Sequence, residues 1–254
     1  NRGNQLLQVG GSFNSFMGTA VIFLTGIFVP NITNAQIKQV FPLMFIALAI
    51  FALAFVVILF TNIPENERVA TADDKKDSKV GPMSFRHFTL GAIAIFIYVG
   101  VEVGIPNVLQ KWLQNGGLDV TTGNAEGIAA TVAATYWLLM FFGRLAGAAL
   151  GAKLSAKTML SAVSLLGLVL VGGAMALDTA ITVNLPVFKG TEGFGMAEVP
   201  INAALLVLCG LCTSVMWGGI FNLAVEGLGK YTERASLWHS YVVVVSFHCC
   251  RTAS

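Results

Sequence analysis

Charge is what this chain has least of. Only 11% of its 254 residues are Asp, Glu, Lys or Arg, against about 25% in an ordinary soluble domain. With 56% hydrophobic residues and a mean hydropathy of +0.76, a soluble globular surface is excluded and a polytopic membrane protein is indicated. A net charge of +2 is too small to attract nucleic acid. Histidine is scarce too: His87, His239 and His248 fall in a linker or the tail. No apolar run carries a nucleophile beside a base or a His pair, which argues against an enzyme. Among the 4 cysteines, Cys209 and Cys212 form a C-x-x-C pattern, but inside an uninterrupted apolar helix with no second pair or His at ligand spacing. They read as packing residues, not redox or zinc chemistry, and no metal, cofactor or disulfide framework is expected. A secretory leader is also missing. The chain opens Asn1-Arg2-Gly3, without the basic, apolar and small-residue sequence of a signal peptide, and is expected to be a fragment.

Long apolar runs, by contrast, are plentiful. Spans are expected at about 6–30, 41–61, 88–113, 127–152, 158–177 and 201–225, the lengths a bilayer core of ~30 Å requires. The second is almost purely aliphatic and aromatic, so a lipid-facing, scaffolding role is expected for it. Between the second and third lies the one charged stretch, 62–87, whose mixed signs and Pro64 and Pro82 make it a solvated linker rather than a binding surface. Region 178–200, with Pro186, Gly190, Gly193 and Gly195, reads as an exposed loop. Alternate loops hold 11 and 3 of the basic residues before the tail, and the richer side is expected to be cytoplasmic.

One stretch departs from lipid-compatible chemistry: Tyr98-Val99-Gly100-Val101-Glu102-Val103-Gly104-Ile105-Pro106-Asn107. Glu102 lies about 21 Å along its span at roughly 1.5 Å per residue. A charge at that depth costs roughly 2.5 to 3.5 kcal/mol on insertion scales, so it is expected to face a cavity or a partner. Pro106 has no N–H for the carbonyl of residue 102, which predicts a kink or break beside the acid, and broken helices line substrate sites in transporters. The alternative is a carboxylate that only ties two helices together. Further on, Gly143, Gly147 and Gly151 form a small-residue stripe at spacing four, suited to close helix approach. Arg144, beside it, either snorkels to the cytoplasmic headgroups or forms a gating ion pair. Tyr136-Trp137 and Trp217 can stack on a sugar ring or fill a bundle.

Several of these segments together resemble the fucose permease branch of the major facilitator superfamily, which includes bacterial glucose and galactose transporters. They are Ser12-Phe13-Asn14-Ser15-Phe16, Tyr98-Val99-Gly100, Gly143-Arg144 and the run 221–229 ending in Leu228-Gly229. The resemblance covers about residues 1–236. It implies an all-α fold holding helices five to ten of twelve: residues 1–61 as the last two helices of the N-terminal half, 62–87 as the cytoplasmic linker, and 88–236 as the first four helices of the C-terminal half. The family's sugar-contacting asparagine falls on Asn14. The glutamine that precedes it in fucose permease falls on Gly11, a departure that weakens the case for fucose itself, although Gln8, one turn earlier, can offer an amide. Glu102 and Asn107 match the polar positions of the seventh helix, and Trp217 and Asn222 the tenth. Amides and carboxylates meet hydroxyls that both donate and accept, and an aromatic face covers the apolar side of the ring.

The resemblance therefore implies a secondary transporter for a neutral monosaccharide (glucose, galactose or a fucose-like sugar) in a bacterial inner membrane, working as a proton-coupled symporter by alternating access. The family's coupling acids lie in helices one and four, outside this alignment. A membrane-embedded enzyme, a receptor or a non-functional fragment is the competing expectation. Residues 237–254 change composition abruptly, with Val242 to Val245 followed by His248-Cys249-Cys250-Arg251. They are expected to be a frameshifted reading of a glycine-rich eleventh helix.

Overall fold

The computed structural model describes residues 9–21, 41–60, 82–118, 125–151, 153–188, 193–228, 235, 242, 243 and 245. Helices form wherever the apolar runs are uninterrupted: α1 over 9–21, α2 over Phe41–Phe60, α3 over Arg86–Trp112, α4 over Ala125–Leu150, α5 over Ala156–Ala176 and α6 over Ile201–Val225. α2 to α6 begin and end within a few residues of an expected span, and α1 lies inside the first, whose remaining residues are outside those described. Among the described residues, four helical stretches are long and apolar enough to cross a membrane: Arg86–Gly117, Gly127–Leu150, Ala156–Ala176 and Ile201–Val225. Their ends follow local chemistry. Ser155 caps α5 by accepting a hydrogen bond from the Thr158 amide at 3.2 Å, satisfying one of the orphan donors of the first turn. Pro200, whose fixed φ suits a helix entry, precedes α6.

α6 is the hub, packing against α3, α4 and α5. Glycine makes the approach possible. A Cβ on Gly143 or Gly147 of α4 would strike Ser214 or Val215 of α6, one on Gly91 of α3 would strike Ala224, and one on Gly210 of α6 would sit 2.5 Å from the Tyr136 carbonyl oxygen. This is backbone-close packing of the small-residue kind that membrane helices use in place of a hydrophobic driving force. The described side chains of α2 are all exposed, and α5 buries only Met159 and Ala174. Leu165, Leu166, Leu168 and Val169 of α5 point outward, as lipid-facing apolar surface does.

Two expectations are corrected. The first concerns 178–200, which is not an exposed loop throughout but a β-hairpin: β1, Thr182–Phe188, pairs antiparallel with β2, Phe194–Pro200, in the register Thr182↔Pro200 to Phe188↔Phe194. Val187, Ala197 and Val199 are buried against Leu109, Leu113 and Ile128, so the hairpin is folded onto the ends of α3 and α4. The period-two signal was present in Val183-x-Leu185-x-Val187 and Ala197-x-Val199. Pro186 and three glycines masked it, although a proline is tolerated in a two-stranded ribbon where every strand is an edge.

The second concerns Pro106, at which α3 is not broken: the helix runs through it to Trp112. Membrane helices tolerate an interior proline when neighbouring elements re-satisfy the backbone, and Pro106 is buried. The irregular backbone comes later, in a π-helical turn at Leu113–Gly117 where Asn115 and Gly116 leave helical geometry.

Of residues 237–254, Val242, Val243 and Val245 are described, and Val242 and Val243 pack against the cluster of Ile95, Tyr98, Val99 and Ile220. The expected frameshift lies outside the described residues, as do Gln8 and residues 62–81 of the 62–87 linker.

Candidate functional site

Glu102 is buried, at 7% exposure, on the face of α3 that carries Ile95, Tyr98, Val99, Pro106 and Leu109. Residues 95, 98, 99, 102, 106 and 109 follow helical spacing, so the same periodicity that packs α3 against α6 turns the acid inward. Its partner comes from α4. Arg144 Nη2 donates to Glu102 Oε1 at 2.9 Å and approaches Met140 Sδ at 3.5 Å. Arg144 is only 5% exposed. The snorkelling role is therefore corrected: the guanidinium turns into the bundle because a buried carboxylate offers more than the headgroup region, and a charge at this depth requires such a partner.

A ring of polar contacts surrounds the pair. Tyr98, one turn before Glu102, donates its hydroxyl to the Thr213 carbonyl at 3.1 Å. The Tyr136 hydroxyl shares a 3.0 Å hydrogen bond with Thr213 Oγ1. Three helices are thus tied together at one level: α3 through Tyr98, α4 through Tyr136, α6 through Thr213. The Arg144 Nε atom has no hydrogen-bond partner among the described residues, so the guanidinium keeps an unused, buried donor.

The pair also touches α1. A Cβ on Gly11 would overlap the Arg144 guanidinium, so the hydrogen side chain at position 11 is what lets Arg144 lie against the α1 backbone. Ser12, Ser15 and Thr19 of α1 are buried, Gly18 lies under the Trp137 ring, and Phe16 meets Phe141 with ring centroids 5.6 Å apart. α1 and α4 thus form one seam, with the charged pair at one end.

Not every expected residue joins this centre. Asn14 is exposed on α1, and Asn107 is exposed on α3. Five residues rotate a helix by about 140° relative to its starting face, which is why Asn107 looks elsewhere while Glu102 looks in. Trp217 is half-buried, stacked on Phe221 at 5.8 Å and 9° and packed against the Tyr98 cluster. Asn222 is half-buried one turn further along α6. Sequence reasoning missed Tyr136 and Thr213 as a polar tie. The signal available was a Tyr and a Thr inside apolar spans, each of which needs a partner when buried. It did not identify which partner. Cys209 and Cys212 are buried free thiols, as packing cysteines should be, and no cluster of metal-ligating side chains occurs among the described residues.

No protein-family model matches the chain. It is 29% identical over 205 residues to a glucose/galactose transporter of Brucella abortus, an alignment covering 80% of this chain and 43% of that protein. It is 24% identical over 207 residues to the L-fucose-proton symporter of Escherichia coli, covering 78% and 40%. Among solved structures, the fold is similar to that of the major facilitator superfamily transporter FucP in its outward conformation, with a TM-score of 0.69 at 20% identity, covering 99% of this chain and 60% of that one. The chain spans less than half the length of these curated relatives. It is a multi-pass membrane chain with a partial major facilitator superfamily fold, and its sequence resembles the fucose permease and glucose/galactose transporter branch of that superfamily.

Proposed function

We propose that this chain forms part of a secondary active transporter that moves a neutral monosaccharide across a bacterial inner membrane by alternating access, coupled to a proton. The observation that carries the reading is the buried Glu102–Arg144 pair at 2.9 Å, set against the backbone of α1 at Gly11. An intramembrane ion pair is costly to build and serves as a site or a gate. This one lies where α1, assigned to the first half of the fold, meets α3 and α4 of the second. Similarity to a glucose/galactose transporter and to an L-fucose-proton symporter supports the substrate class.

In this mechanism Glu102 and Arg144 act as a latch. With the acid ionised the pair is closed and holds α3 to α4 beside α1. Protonation removes the negative charge and frees the guanidinium to donate to sugar hydroxyls, Nε included. Tyr98, whose proton is already given to the Thr213 carbonyl, lies one turn before Glu102 and has an oxygen lone pair to offer the neutral acid. Asn14, Asn107, Trp217 and Asn222 are assigned to the sugar path. Pro106 is assigned to positioning, because a helix lacking one backbone hydrogen bond bends there at lower cost than elsewhere.

Counterflow of labelled glucose, galactose or fucose in proteoliposomes made with the full-length gene product tests the reading. Exchange without chemical change of the sugar is expected, and a modified product would replace transport by catalysis. Glu102→Gln should reduce uptake while leaving membrane insertion intact, and wild-type uptake kinetics in that variant would remove the latch. Asn14→Ala should weaken sugar affinity by roughly 1 to 3 kcal/mol, the cost of stranding a desolvated hydroxyl. Calorimetry with unchanged affinity would take Asn14 out of the path.

A further inference from the structure

Away from the charged pair, where α3 ends and the hairpin begins, the chain forms a half-open pocket of about 550 Å³, within the ~300 to 1,000 Å³ of small-ligand sites. Its walls include Trp112, Gly116, Gly117, Thr179, Thr182 and Glu198. The shape is built. Gly116 adopts φ of 119°, a left-handed conformation open to glycine, and this turn brings Gly117 under Trp112. A Cβ on Gly117 would lie 3.2 Å from the indole ring and 3.0 Å from the Trp112 carbonyl oxygen, so the ring is seated on bare backbone. Across the cavity, the hairpin is pinned by Val187, Ala197 and Val199 against Leu109, Leu113 and Ile128, which fixes the strand carrying Glu198. Asp178 Oδ1 accepts from the Ala180 amide at 3.1 Å and shapes the turn carrying Thr179. The side chains of Thr179, Thr182 and Glu198 are exposed at this pocket and that of Trp112 is half-buried, so all four are open to an arriving ligand.

We propose that this cavity is a second sugar site, a vestibule that captures a monosaccharide at the hairpin end of the bundle before it enters the path between the helices. The inference rests on the reading that the chain transports a neutral monosaccharide. An indole face covers the apolar side of a pyranose, a carboxylate accepts from paired hydroxyls, and threonine hydroxyls both donate and accept. The basic-residue partition puts this end outside, where substrate arrives.

The test is sugar protection of a cysteine at the cavity wall, read independently of transport. In the full-length gene product, Ala180→Cys is labelled with a membrane-impermeant maleimide with and without D-galactose, D-glucose or L-fucose, both alone and combined with Glu102→Gln. A sugar is expected to slow labelling in both backgrounds. Adding Trp112→Ala should raise the half-protecting concentration about 2- to 10-fold, the range expected for losing an aromatic contact, while Trp112→Phe keeps most of the protection. Glu198→Gln should weaken protection about 5-fold, as exchanging a charged acceptor for a neutral one does. Equal labelling rates of the variants without sugar establish that the wall is still folded. Absence of protection by all three sugars overturns the proposal even if counterflow succeeds. Protection by tetramethylammonium and not by sugar also overturns it, in favour of a cation held by Trp112 and Glu198. If counterflow fails but protection and its weakening in Trp112→Ala are seen, the sugar site at the hairpin stands, while its role as a vestibule falls with the transport reading.

Discussion

Glu102 and Arg144 carry opposite charges in a region that solvates neither, so each is tolerable only because of the other. Removing one partner of a buried pair typically costs about 3 to 5 kcal/mol because the survivor is left uncompensated. Arg144→Leu alone and Glu102→Leu alone should therefore lower the thermal midpoint in detergent by clearly more than the double variant does, and a double variant as unstable as the sum of the singles would show that the pair is not coupled. Arg144→Lys is not a conservative change here. A lysine offers a compact ammonium without the planar fork whose Nη2 reaches Glu102 and Met140 while Nη1 lies against Gly11, so reduced uptake is expected with insertion preserved. Position 11 belongs to the same unit. Gly11→Val should displace the guanidinium and resemble Arg144→Leu in uptake, whereas Gly10→Val, a position where a Cβ meets nothing within 4 Å, should not.

Elements depend on contacts of a different kind. α6 crosses α4 at Gly210, where the Tyr136 carbonyl fills the space a side chain would need. Overpacking a well-packed contact costs roughly 1 to 3 kcal/mol, so Gly210→Ala should lower thermal stability by that order, and an unchanged midpoint would mean that the helices can slide apart freely. The far end of α5 relies on Asn202, whose amide donates to the Ala174 carbonyl at 2.6 Å and the Leu177 carbonyl at 3.0 Å. It thereby satisfies acceptors that every helix C-terminus leaves open. Asn202→Ala should speed hydrogen exchange in the last turn of α5, at a cost of about 1 to 3 kcal/mol for the stranded carbonyls. Exchange unchanged there would assign the carbonyls other partners.

At the scale of the molecule, the charge partition changes once Arg144 is recognised as buried. It no longer counts toward a loop, leaving ten basic residues against three, which still favours a cytoplasmic 62–87 linker. Cysteines introduced at Ser78 and Thr191 of the full-length gene product should be labelled from the cytoplasmic and the external side respectively. The reverse pattern would invert the orientation and move the vestibule to the inner face. The seam of Gly11, Phe16 and Gly18 against Arg144, Phe141 and Trp137 joins α1 to α4, helices that the proposed transporter would hold in opposite halves. A seam of small residues and rings can open and close without breaking a backbone hydrogen bond, as rocking of two bundles requires.

The sequence by itself determined the helices, because apolar runs of bilayer length have no other stable form where water cannot satisfy the backbone. It also determined the special status of Glu102, since a lone carboxylate at that depth demands an explanation, and the family resemblance, which rests on short motifs in order. Only tertiary structure decided the partner. Arg144 is 42 residues from Glu102, and nothing local distinguishes an arginine that snorkels outward from one that turns inward. The choice depends on which helix lies beside it and on Gly11 leaving room. The hairpin was hidden for a related reason: its alternating residues become informative only when Leu109, Leu113 and Ile128 offer them a surface. Asn107 shows the reverse case, a residue of suitable chemistry turned away from Glu102 by helical geometry alone. Identity and spacing are local properties of the chain, whereas burial and pairing are properties of the surfaces that distant segments bring together.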